Sequence, residues 1–319
     1  MAGGIKLQWK DRNFSEEQHR IYKSSTPMSL GMLPTPIATL GSNITEYIDY
    51  DVIEGNTYYY RISAVRGNDE AVSDELMMVA EELNFGPGSD ILIAGDMTAG
   101  FFGEVPTTEL ITGDDLATQI GLTAGTAQYS TEPWLKFALD GNIIYVAKKP
   151  YRHSISWEHI YQAGAVYGTG DNGLYPSGGN RLQDANITVD GFNLDVTLLK
   201  GANTDPAIIT SSGYDPIETH NSEWNRLMYP IHSGVHTDAN NPSSPSVPYA
   251  QWATYSDSDL LVHSSFGNGY ATWVQETPNA STTTSRLYRG YSGISMVTYD
   301  PAIRNTDVTG WRPILRLTV

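Results

Sequence analysis

The segment Gly55-Asn56-Thr57-Tyr58-Tyr59-Tyr60-Arg61-Ile62-Ser63-Ala64-Val65 constrains the fold of this chain more than any other. Tyr58, Tyr60, Ile62 and Ala64 alternate with Tyr59, Arg61, Ser63 and Val65. A period of two puts the two sets on opposite faces of a strand, whereas an amphipathic helix would repeat every 3.6 residues. Gly55 and Asn56 supply a turn just before it. A tyrosine placed like Tyr58 can bury its ring and return its hydroxyl to backbone upstream of the turn.

The neighbouring residues are read as strands too. Ile5, Leu7 and Trp9 share one face; strands are predicted over 20–23, 46–50, 57–66 and 71–79, with a turn at Gly67-Asn68-Asp69. This order, with Trp9 on an early strand and Tyr58 after the corner, resembles a fibronectin type III module over residues 1–83. The resemblance implies a β-sandwich that serves as a docking or spacing element. Only four residues precede Ile5, so the usual first strand is missing or very short. An unpaired edge beside Ile5–Trp9 is therefore expected, to be completed or capped by a neighbour in an assembly.

At 319 residues the chain is too long for one small sandwich, and a hydrophobic content of 40% is enough for a second core. Residues 84–90, Asn84-Phe-Gly-Pro-Gly-Ser-Asp90, are read as a linker because Gly and Pro interrupt both helix and strand. The 20 tyrosines against 7 phenylalanines suit half-exposed strands and contact surfaces alike. A formal net charge of −17 disfavours contact with nucleic acid phosphates. There are no cysteines, which excludes disulfides, thiol nucleophiles and Cys-ligated zinc. No apolar run reaches the roughly 18 residues that span a bilayer, so membrane insertion is not expected. Met1-Ala-Gly-Gly4 lacks the basic and apolar segments of a signal peptide, and synthesis in a cytosol is expected.

Beyond residue 90 the pattern is mixed. A buried strand is predicted over 91–94. Helices are predicted over 112–120, 156–163 and 222–229, capped by Thr112, Ser156 and Ser222. Asp140-Gly141 and Asp190-Gly191, each between apolar runs, predict two hairpins. Residues 168–180 and 238–248 read as loops, and 260–264, 271–275, 285–290 and 311–319 as strands. No internal repeat and no heptad run is present.

Several short motifs follow in order: Trp134-Leu-Lys-Phe137, Val146-Ala-Lys-Lys-Pro150, Leu198-Leu-Lys-Gly-Ala202, Glu223-Trp-Asn-Arg-Leu227, Arg289-Gly290 and Gly310-Trp-Arg-Pro-Ile-Leu315. Together they resemble a domain of bacteriophage tail and fibre proteins. The Arg-Gly and Gly-Trp-Arg-Pro elements also resemble the C-type-lectin-like fold of phage receptor-binding proteins and of formylglycine-generating enzymes. The resemblance implies a mainly β protein, with a C-type-lectin-like α+β domain over 91–319 that displays a loop surface. Formylglycine generation needs cysteines, and this chain has none. Calcium-dependent sugar binding needs paired carboxylate motifs, and only Glu276-Thr-Pro-Asn279 approaches one.

His232 and His236 are four apart, but Ser233-Gly234 breaks the helix that would align them on zinc. No Gly-x-Ser-x-Gly elbow, phosphate loop or dinucleotide fingerprint is present. Acids are numerous enough to hide a glycosidase pair. The aromatics between 249 and 299, including Trp252, Tyr255, Phe266, Tyr270, Trp273 and Tyr288, are candidate ligand contacts. The resembled fold presents its binding face between Gly290 and Gly310, which nominates Tyr291, Ser292, Tyr299, Asp300, Arg304 and Asn305. Trp9, Tyr58, Arg289, Trp311 and Arg312 are assigned structural roles, Arg312 by bridging backbone carbonyls with its five donors. Neither metal nor cofactor is expected.

The functional expectation is a non-enzymatic virion structural protein, made in the host cytoplasm. As a tail-fibre or tail-tip adhesin it would bind a host cell-surface glycan or protein multivalently. Other virion proteins and further copies of itself, as a homo-oligomer, are its expected partners. A capsid or collar decoration protein and a polysaccharide-degrading enzyme are the alternatives.

Overall fold

The computed structural model describes residues 2–10, 17–42, 44–82, 85–173, 180–209, 213–214, 216–233, 249–262, 269, 271–279 and 284–318. The protein is mainly β, built from several antiparallel sheets with few helices. It divides into two units, Met1–Asn84 and Phe85–Val319.

The first unit is a two-sheet sandwich. One sheet has the order Glu46–Ile53, Ala2–Gln8, Glu81–Glu82; the other runs Ala38–Gly41, Gln18–Ser24, Thr57–Arg66, Asp69–Val72. Leu76–Val79 continues the last strand and pairs with the beginning of Thr57–Arg66. The predicted alternation sets the core: Tyr60 and Ile62 point inward with Ile21 and meet Ile5, Leu7 and Val52 of the facing sheet. The Tyr58 hydroxyl accepts the Ile53 amide at 3.0 Å, across the turn at Gly55. Tyr58→Phe removes that acceptor, and because Ile53 is exposed its amide turns to water; the expected cost is about 0.5–1 kcal/mol, read as a small shift of the denaturant midpoint.

Within the same core the Asp49 carboxylate, 2% exposed, accepts the Tyr60 hydroxyl at 2.6 Å and faces Lys23 Nζ at 3.0 Å. Burial, and next the bond to Asp49, push the Tyr60 hydroxyl far above the ordinary phenol range. The expected open edge beside Ile5–Trp9 is covered at one end. Glu81 and Glu82 pair there with Gly4 and Gly3.

The second unit holds two seven-stranded sheets. The first has the order Asn186–Val189, Phe192–Thr197, Ile314–Thr318, Asn142–Ala147, Trp134–Leu139, Ala99–Val105, Ala94–Gly95. The second runs Thr126–Ala127, Arg152–His153, Thr309–Trp311, Ala271–Trp273, Ser285–Arg289, Met296–Pro301, Gly213–Tyr214. Its step from Thr309–Trp311 to Ala271–Trp273 is parallel. Both Asp-Gly hairpins form: Asp140 and Gly141, and Asp190 and Gly191, take positive φ, as the tight turn requires.

Helices Gly113–Gln119, Trp157–Gln162 and Glu223–Ile231 begin at Thr112, Ser156 and Ser222, whose hydroxyls accept amides of the first turn. The core joins Leu135, Phe137, Ile144 and Ile314 of one sheet to Leu287 and Val297 of the other, with Trp224, Leu227 and Met228 of the last helix among them.

Four local expectations change. The segment 91–94 is not a buried strand: Ile91 and Ile93 are 74% and 63% exposed, at the edge beside Ala99–Val105. A short apolar run has no periodicity to separate buried from exposed. Residues 257–260 form a helical turn, with Ser256 and Asp259 as a capping box, where a strand was expected from 260; 263–268 lie outside the described residues. The final stretch is two strands in different sheets, separated at Arg312-Pro313.

The linker assigned to 84–90 is, from Phe85 onward, part of the second unit. Tyr145 donates its hydroxyl to the Phe85 or Pro87 carbonyl at 3.0 and 2.9 Å, and the buried Lys136 ammonium meets the Gly86 carbonyl and Asp90, each at 3.2 Å. Gly86 is required there, since a Cβ would stand 2.6 Å from the Tyr145 hydroxyl.

Candidate functional site

Strands Ser285–Arg289 and Met296–Pro301 are joined by a turn over 290–295, with Tyr291 and Ser292 exposed at its tip. Gly290, with φ of 82°, lets the chain turn out of the sheet at once. The turn is anchored from below: Asp257 accepts the Ile294 amide at 3.1 Å and faces His232 Nε2 at 3.2 Å. Gly290, Tyr291, Ser292 and Gly293 close a cavity of about 90 Å³ with Asp257, Leu261 and Val262.

On its other side the Tyr291 ring leans on Tyr288, with centroids 6.2 Å apart. The Tyr288 hydroxyl donates to Asp300 at 3.0 Å, and Arg304 Nη1 reaches the same carboxylate oxygen at 2.5 Å. Burial first, and the Asp300 charge next, raise the Tyr288 hydroxyl far above its ordinary range, so it stays a donor. Arg304 Nε also donates to Thr306 at 3.1 Å. The result is a phenol, carboxylate and guanidinium chain ending under an exposed ring. Such a surface offers stacking and fixed hydrogen-bond directions, the elements of non-covalent recognition.

The structure brings together only part of the nominated set. Tyr291, Asp300 and Arg304 gather around Tyr288, with Ser292 beside Tyr291 at the turn tip and Asn305 exposed next to Arg304. Tyr299 does not join them. The region after Gly290 contains a strand, so Tyr299 and Asp300 point to opposite faces, and Tyr299 packs on the core. Trp252 packs on that core as well. Trp273 is fully buried, donates to the Ile155 carbonyl at 2.8 Å and supports Tyr288 edge-on at 5.6 Å, so it is not a surface contact. Phe266, Tyr270 and His236 lie outside the described residues.

Among the described residues no group of three His, Cys, Asp or Glu side chains is placed to hold a metal ion. Asp257, Leu261 and Val262 were missed by sequence reasoning. The Ser256-x-x-Asp259 capping box was the available signal for the turn that carries them.

The structural residues are buried more deeply. Arg289 donates to the Gly201 carbonyl and Asn225 Oδ1, each at 2.8 Å, and to the Tyr229 hydroxyl at 3.0 Å. Arg312 donates to the carbonyls of Ala147 at 3.3 Å, Lys148 at 3.0 Å and Leu260. Both guanidinium groups lie 5.5 Å from the Trp224 ring, and Trp311 is fully buried in the adjoining strand. Trp9 is half-buried against the core of the first unit.

No family model, curated protein or solved structure matches the chain.

Proposed function

We propose that the chain is a non-enzymatic bacteriophage virion protein, a tail-fibre or tail-tip adhesin that binds a host-surface glycan or protein through many copies. The observation that carries this reading is the exposed Tyr291 turn, backed by the Tyr288, Asp300 and Arg304 chain and anchored on Asp257. A rigid aromatic at a turn tip contributes contact area at small entropic cost. Weak sites repeated over an assembly add up through effective concentration.

Residues 1–84 are read as a fibronectin type III-like spacer. The support is the strand order of the two facing sheets, 46–53 beside 2–8, and 38–41, 18–24, 57–66 and 69–72, together with the Tyr58 bond to Ile53. Residues 85–319 are read as a C-type-lectin-like display domain. In support, Arg289 and the Trp311-Arg312 pair lie in the core, while the turn that follows Arg289 is exposed.

Tyr291→Ala tests the site. Fluorescently labelled full-length protein is titrated onto a panel of bacterial cells and purified surface polysaccharides. The expected loss is about tenfold or more in apparent affinity, with an unchanged unfolding midpoint. Equal binding by the variant would remove this turn from the reading.

A further inference from the structure

We propose that the first unit carries an acceptor groove for an extended segment of another polypeptide, neutral to basic in charge and apolar at alternate positions. The groove opens between the two sheets of the sandwich and has a volume of about 540 Å³. Trp9 and Lys10 line it on one side, Ala71–Asp74 and Leu76 on the other, with His19, Ile62 and Ala64 between them.

Two polar atoms in this setting are unsatisfied. Trp9 Nε1 and His19 Nδ1 are buried and meet no hydrogen-bond partner among the described residues, and His19 is only 2% exposed. Their rings touch edge to face at 5.4 Å. Buried polar groups are ordinarily paired, so each such atom calls for an explanation. An indole N–H can only donate, and an imidazole Nδ1 without a proton can only accept. An extended residue turns its own N–H and C=O to the same side, and one such residue in the groove offers an acceptor to the indole and a donor to the imidazole.

The walls select the rest of the occupant. Ile62, Ala64, Ala71, Val72 and Leu76 are aliphatic and suit small apolar side chains, while Lys10, Ser63, Ser73 and Asp74 offer polar groups to the main chain between them. The rim favours extended backbone: Asp69–Val72 is the last strand of its sheet and, among the described strands, pairs only with Thr57–Arg66. On the opposite sheet the Glu81–Glu82 ladder stops at Gly4. Strand addition at such an edge takes its affinity from main-chain bonds and its selectivity from alternate side chains. A chain of net charge −17 repels an acidic segment, which leaves a neutral or basic one. The inference stands on the first unit alone and is independent of the Tyr291 site.

The test uses 15N-labelled full-length protein and a synthetic octapeptide that alternates valine and threonine, with lysine at each end. The Trp9 indole resonance is identified by its loss in Trp9→Phe. The expected result is a saturable shift of that resonance and at least tenfold slower exchange of its proton with water. Ala64→Leu, which fills the groove, removes the response, as does Ala71→Arg at the rim should the first variant fold poorly. The same peptide with N-methylated backbone gives none. An unshifted indole resonance at millimolar peptide overturns the proposal. So does an equal response to the N-methylated peptide, or an indole proton that exchanges as fast as that of free tryptophan throughout.

Discussion

Replacing Arg312 by alanine is expected to destabilise the second unit by about 3–5 kcal/mol, because the side chain is the donor for three carbonyls in two places at once. Ala147 ends a strand of one sheet and Lys148 follows it, and Leu260 ends the helical turn that carries Asp257. Arg312 stands where the chain leaves Thr309–Trp311 and enters Ile314–Thr318 in the other sheet. Alanine leaves the buried Ala147 and Leu260 carbonyls and the part-buried Lys148 carbonyl without this donor and opens a void beside Trp224. Burial pulls the guanidinium below its ordinary value. It remains charged because arginine starts so high.

Arg312→Lys is expected to recover only part of the loss, since one ammonium cannot reproduce the fork. Denaturant titration followed by tryptophan fluorescence reads both variants. A change under about 1 kcal/mol for the alanine variant would mean that these carbonyls find water, against the near-complete burial of the site.

The second large effect concerns pH. Glu276 is 2% exposed and accepts the Gly201 amide at 3.0 Å. Burial pushes its carboxyl up to about 8 despite that bond, and the charges of Asp205 and Glu223 add to the rise. The folded protein thus keeps a proton that the unfolded chain releases near the ordinary value of about 4.3. Stability from this group is full below that value and is lost as pH climbs toward 8.

Glu276→Gln keeps an oxygen for Gly201 and carries no charge. Unfolding free energies are therefore expected to fall between about pH 5 and pH 8.5 in the parent and to stay flatter in the variant. The difference is on the order of 3 kcal/mol. Asp140 acts in the opposite direction and in another window. Its bidentate bond to Arg226, at 2.7 and 2.8 Å, holds its carboxyl below the ordinary range, so its contribution is present at neutral pH and lost on acidification. Identical pH profiles for parent and Glu276→Gln would show that Glu276 is solvated in the folded state.

Features with a local cause are legible in the sequence. The alternation in 57–66, the Asp-Gly hairpins and the Thr112, Ser156 and Ser222 caps each depend on neighbours within a few residues, and each forms where it was placed. What failed was non-local. The final run 311–319 reads as one alternating strand, yet Arg312-Pro313 separates Thr309–Trp311 in one sheet from Ile314–Thr318 in another, and only the partners of Arg312 reveal why.

The nominated site divided for the same reason. Tyr299 and Asp300 are adjacent in sequence, but strand geometry sends them to opposite faces. Trp273 resembled a contact residue by type, and its indole was needed instead by the Ile155 carbonyl. Asp257 lies 37 positions from Ile294, whose amide it holds in the turn, a separation no short motif reports.

The most direct test of the adhesin reading is a time course in which the purified full-length protein is incubated with each polysaccharide of the panel, with bound material and reducing ends measured together. The account predicts saturable retention of at least one polysaccharide, lost with Tyr291→Ala, and a reducing-end count that stays at the starting level. Reducing ends that accumulate in proportion to protein and time would identify a glycan-cleaving enzyme and contradict it.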